Sequence, residues 1–122
     1  MIADYKEIQI ELENQICELG FNKTKDEDFL AVYINRKGWT VILEGERYVR
    51  PAFDLSIALN SDSEEFSLWI LMKVFSQRDS MAEMTPSLTN QLKFLTNNFE
   101  SLFSEKPWYK EKYDEINSNW KK

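Results

Sequence analysis

Cys17 is the only thiol and histidine is absent from all 122 residues, which leaves carboxylates, tyrosines, lysines and one cysteine to trade protons or attack a substrate. A thiol becomes a nucleophile where a base or electropositive surroundings lower its pKa. Cys17 falls inside a helical pattern, between the apolar stripe and its far side, with no histidine to activate it, so its expected role is structural. Two close carboxylate pairs, Glu44 with Glu46 and Asp26 with Asp28, are the remaining candidates for acid–base work or Mg²⁺ binding. In a chain that is 30% charged such spacing arises readily by chance. Gly20, Gly38 and Gly45 form neither a dinucleotide fingerprint nor a phosphate loop. The expectation is a protein that is not an enzyme and has no cofactor and no metal.

Charge points to binding instead. Residues 1–28 carry eight acids against three bases, and residues 61–85 carry five against two, while the other two stretches are each slightly basic. An acidic surface repels nucleic-acid phosphates and attracts cationic partners. Arg36, Lys37, Arg47 and Arg50 are the only basic cluster in the sheet region, too little for a nucleic-acid groove. The aromatic residues, Trp39, Trp69, Trp108 and Trp120 among them, fall on element faces where core packing is the expectation.

The elements that would position these groups follow from periodicity. Tyr5, Ile8, Leu12, Ile16 and Leu19 predict a helix over 3–19 that stops at Gly20. Asp4, Glu7, Glu11 and Glu18 then fall within an arc of roughly 60° beside the apolar stripe. The polar stretch 22–28 reads as a loop. Phe29–Ile34 and Trp39–Glu44 read as strands joined by a turn at Asn35–Gly38. A third strand lies within 48–60 and is cleanest from Phe53, where Phe53, Leu55, Ile57 and Leu59 share one face.

Ser61–Glu65 has the chemistry of a helix cap, and the following FSLWILMKVF, apolar nearly all round, fits helix or strand. Its Leu, Met and Lys content favours a helix to about Gln77. Thr85–Pro86 predicts another helix start, with Leu88, Leu92, Leu95, Phe99 and Leu102 as its stripe. Pro107 opens a last helix carrying Tyr109, Tyr113, Ile116 and Trp120, which is expected to dock on the sheet.

The expectation is one α+β domain over residues 1–122: an N-terminal helix, a three-stranded, mostly antiparallel sheet, and two or three C-terminal helices packed on it. The longest apolar run, Leu68–Met72, is far shorter than the roughly 20 residues a membrane span needs. The unpaired cysteine, and a start lacking the basic head and apolar run of a signal peptide, predict a cytoplasmic protein.

The α-β-β-β-α-α order, GWTVILEGERY followed by FDLSIALNSDSEEFSLWILMKVF, and the late LTNQLKFLTNNFESLF resemble the small cytosolic immunity proteins of bacterial polymorphic and contact-dependent growth inhibition toxin systems. The resemblance is one of size, acidity and element order across most of the chain. It implies a non-catalytic inhibitor that binds a cognate protein toxin and blocks its active site, often the basic cleft of a nuclease. Asp4, Glu7, Glu11, Glu18, Asp62, Glu64 and Glu65 are the expected contact residues. A structural or adaptor subunit and an acidic nucleic-acid mimic are the alternatives. Monomer and homodimer are both open, and neither nucleic acid nor membrane is an expected partner.

Overall fold

The computed structural model describes residues 1–50, 52–59, 64–76, 87–103 and 108–120. Helix α1, Lys6–Ile16, is flanked by 3₁₀ turns at Ala3–Tyr5 and Cys17–Leu19. The run ends at Gly20, whose φ of 85° is the left-handed stop that a residue without Cβ adopts freely. Five strands follow in sheet order β1-β2-β3-β4-β5: Asn22–Glu27, Leu30–Ile34, Thr40–Gly45, Phe53–Ala58 and Phe66–Ser67. Every neighbouring pair is antiparallel. Helices α2 (Leu68–Ser76), α3 (Leu88–Asn97), α4 (Phe99–Leu102) and α5 (Lys110–Trp120) complete the described chain.

The α+β class agrees with the sequence, but the three-stranded sheet does not: among the described residues the sheet has five strands. The polar stretch expected to be a loop is β1, paired with β2 from Asn22 opposite Ile34 to Glu27 opposite Leu30. All six of its residues are exposed, so backbone pairing alone makes it a strand and no apolar alternation announces it. The second addition is β5. Phe66 pairs with Ile57 and sends its side chain into the core, so helix α2 begins at Leu68 and not at the expected cap. The stretch 66–76 is therefore strand for two residues and helix for nine.

Among the described residues four helices follow the sheet where two or three were expected. Asn98, at φ −117° and ψ 21°, leaves helical geometry and separates α3 from α4. Thr85, Pro86 and Pro107 lie outside the described residues. The observed cap of α3 is Ser87, whose Oγ accepts from the Asn90 amide at 3.1 Å.

Strand alternation divides the sheet into two faces. Ala31, Leu43 and Leu55 form one inward row, and Tyr33, Val41 and Ile57 the next. They share one core with Tyr5, Leu12 and Ile16 from the N-terminal helical run and with Leu68, Leu71, Leu92 and Leu95. Each fully buried aliphatic side chain contributes about 1.5–3 kcal/mol. The polar groups under α1 are matched: the Tyr33 hydroxyl donates to Glu13 at 2.6 Å, and Gln9 donates to Asp26 at 3.2 Å. Trp39 stacks on Phe103, 5.0 Å between centroids and 18° between planes.

The C-terminal helix α5 packs on α2 and reaches the sheet through β5, where Tyr109 and Tyr113 meet Phe66. At that margin the Ser67 amide donates to the Tyr113 hydroxyl at 2.8 Å. The opposite margin, β1, carries Lys23, Lys25, Asp26 and Glu27 and an irregularity between Lys23 and Lys25, the charges and bulge by which an edge resists further pairing. Among the described residues no helix is long and apolar enough to cross a membrane.

Candidate functional site

The outward face of the sheet is built by the same alternation. Because Leu43 and Leu55 point inward, Glu44 and Asp54 point outward, and the register sets them directly opposite each other. Leu30 faces Glu44 from the other side. The next rows are Val32, Ile42, Ser56 and Ser67, then Ile34, Thr40 and Ala58. Leu30, Val32, Ile34 and Ile42 are half-buried and stand outside the core cluster. The face thus has an apolar centre and an acidic end.

The acidic end is held unevenly. The Oδ2 atom of Asp54 accepts from Ser56 Oγ at 2.8 Å and Ser67 Oγ at 3.0 Å, which fixes its carboxylate. Glu44, Glu46 and Glu65 make no side-chain hydrogen bond or ion pair with the described residues. Partial burial, and then the negative charges of Glu65, Asp54 and Glu46, push the Glu44 carboxyl above its ordinary range. Beside it an open cleft of about 530 Å³ is lined by Glu27, Asp28, Phe29, Leu30, Glu44, Gly45, Glu46, Arg47 and Tyr48. Four carboxylates and one guanidinium line it, with Lys25 3.8 Å from Glu27, so the lining is net acidic. Such a site attracts and pairs cations. Among the described residues no group of three or more acidic or cysteine side chains is arranged to hold a metal ion.

Like charges directly opposite in a sheet destabilise it. The folded state binds the Glu44 proton more tightly than the unfolded chain does, so stability tied to this group is present below the unfolded pKa and lost as pH rises through the folded one. Glu44→Gln removes that penalty and is expected to stabilise the protein at pH 7 by about 0.5 kcal/mol, the scale of a cross-strand charge pair. The gain disappears below the ordinary glutamate range and shrinks at high salt. Urea titrations of parent and variant at pH 7 and pH 3.5 check the sign, and equal stabilities at both would remove the charge conflict.

No protein family, curated protein or solved structure matches this chain. The site rests on its own geometry.

The sheet separates most of the residues expected from sequence. Helix α1 packs on the inward side, with Tyr5 against Gly45 and Gln9 and Glu13 at Tyr33. Glu7 and Glu11 are exposed on that helix, Glu11 accepting from Thr89 of α3 at 3.4 Å, and Glu18 is exposed in the following 3₁₀ turn. Asp4 lies 3.9 Å from Arg50. Glu64 is engaged by Lys110 at 2.6 Å, and Asp114 takes the same ammonium at 2.9 Å. Of the described residues expected from sequence, only Glu65 acts on the Glu44 proton. Asp62 lies outside the described residues.

Glu44, Glu46 and Asp54 were therefore missed as a group. The pair Glu44 and Glu46 was visible in the sequence, but the meeting with Asp54 depends on register. The basic cluster also comes apart: Arg36 and Lys37 lie in the β2–β3 turn, and Arg47 and Arg50 in the β3–β4 loop at the other end of β3. Lys37 covers Trp39 at 4.8 Å, and both arginines cover Phe29. Cys17 is exposed, its Sγ 3.5 Å from the Asn14 carbonyl. Trp108 is 59% exposed although its indole N–H donates to Ser101.

Proposed function

We propose that this protein is a non-catalytic inhibitor that docks on a basic partner protein, a toxin domain as the resemblance to immunity proteins implies. The docking face is the acidic end of the sheet's outward side; Thr40, Ser56 and Ala58, farther along that side, are buried. The observation that carries the reading is the Glu44–Asp54 pair. A sheet that opposes two carboxylates, adds Glu65 and Glu46 beside them and leaves three of the four unpaired among the described residues gives up stability for negative potential. Next to those charges lie the half-buried Leu30, Val32 and Ile42. An apolar centre beside a charged margin is the composition of a protein interface, and the charges set encounter rate and partner choice.

The test uses the product of the neighbouring reading frame as partner and measures association by stopped flow at several salt concentrations. A variant carrying E44K, E46K and E65K is expected to associate at least about 10-fold more slowly, with a flattened salt dependence. A variant carrying E7K, E11K and E18K, on the other side of the sheet, should stay within about 2-fold of the parent once charge at a distance is screened. Slower association of the helix variant alone would move the docking face to α1. No binding by the parent would sink the inhibitor reading.

A further inference from the structure

Residues 46–50 and 52 of the β3–β4 connection have an architecture that the fold does not require. Tyr48 is 95% exposed and Val49 67% exposed, side by side at the tip. Single exposed apolar residues are ordinary, but two together on a fixed projection are not. The base of the loop is bolted to the core: the buried Tyr5 hydroxyl lies 2.6 Å from the Glu46 carbonyl and 3.0 Å from that of Ala52. The Glu46 amide donates to Ala52 O, and the Ala52 amide to Val49 O, both at 2.9 Å.

The two arginines beside the tip are turned back. Arg50 Nε donates to Arg47 O at 2.9 Å, and the two guanidiniums cover Phe29 at 5.0 and 5.1 Å. Both remain exposed and charged, Arg50 lying 3.9 Å from Asp4. What projects is an aromatic ring and an isopropyl group, and the cleft behind them is acidic.

We infer that this loop is a preformed wedge: Tyr48 and Val49 enter a pocket of the partner protein that is apolar at its floor and ringed by lysine or arginine, while the cleft carboxylates pair with that ring. The inference rests on the inhibitor reading above and adds the residues that carry its affinity. A tyrosine on a fixed loop loses little conformational freedom on binding, and buried aromatic anchors dominate interface energies. A cationic rim fits best because the cleft carboxylates Glu27, Asp28, Glu44 and Glu46 outnumber the exposed Arg47 and Arg50 that it would also face.

The double variant Y48A/V49A, measured against the product of the neighbouring reading frame, is expected to keep the parent's thermal midpoint, since neither side chain packs in the core. Its affinity should fall by about 30-fold or more, the scale of a hot-spot truncation. The loss should lie in faster dissociation, with association rate and salt dependence kept, because the acids remain. Y48F should retain most of the affinity. Binding within about 3-fold of the parent overturns the wedge, while the E44K/E46K/E65K variant decides the acidic face separately. No binding by the parent overturns both.

Discussion

Gly45→Ala is expected to destabilise the protein by about 3 kcal/mol, the upper part of the range for overpacking a filled core. A Cβ on Gly45 would lie 2.5 Å from Cζ of Tyr5 and 2.6 and 2.9 Å from its two Cε atoms. Side-chain carbons do not approach so closely, so the ring or the strand must shift. The ring has little freedom. It is fully buried, meets Phe29 edge-on at 6.2 Å, and its hydroxyl serves both ends of the β3–β4 loop. Moving it gives up those hydrogen bonds and leaves carbonyls to find new donors. Urea denaturation should show a lower midpoint with the slope unchanged. A loss under about 1 kcal/mol would mean that the ring swings freely, and the fixed loop base would no longer stand.

The second large effect is at the other end of the sheet. Phe66→Ala is expected to cost about 4 kcal/mol, as for other fully buried phenylalanines. Phe66 is almost the whole of β5's contribution to the core and meets Tyr109 at 5.2 Å and 87° and Tyr113 at 4.9 Å and 84°. Edge-to-face pairs add attraction beyond the area they bury. Both tyrosines are also placed by hydrogen bonds, Tyr109 donating to Leu102 O at 2.7 Å and Tyr113 accepting from the Ser67 amide. Truncation at Phe66 therefore leaves a cavity under α5 and loosens its attachment to the sheet. Calorimetry should show the lower midpoint together with a loss of near-ultraviolet aromatic dichroism. A cost below about 1.5 kcal/mol would show that α2 alone supports α5.

Elements whose side chains carry a period were legible from sequence. Tyr5, Leu12 and Ile16 declared the N-terminal helical run, Gly20 declared its end, and Leu92, Leu95 and Leu102 face the core as their spacing required. The hairpin turn was legible because Asn35 and Gly38 supply its chemistry: Asn35 Oδ1 accepts from the Lys37 and Trp39 amides, and Gly38 has a φ of 80°. Strand β1 carried no such signal, since an edge strand exposed throughout is specified by its neighbour's backbone. Strand β5 was hidden because Phe66 and Ser67 precede an apolar run whose composition favours a helix.

The site was less legible than the fold. Periodicity groups acids along one helix, as it did for Asp4, Glu7, Glu11 and Glu18, but says nothing of which side of a sheet the helix covers. Glu44 and Asp54 are ten residues apart. They meet because the loop between their strands has the length that places Gly45 opposite Phe53. Register is a three-dimensional property, and the charge conflict it creates cannot be seen in composition.

The two flanks of the sheet bear on how the molecule behaves when crowded. One flank carries two lysines and then two acids on a strand with a register irregularity, and the other hands its amide at Ser67 to a tyrosine hydroxyl. Lateral growth from copy to copy finds an inhospitable template on either side, so concentrated solutions should resist fibril seeding for as long as the native state persists.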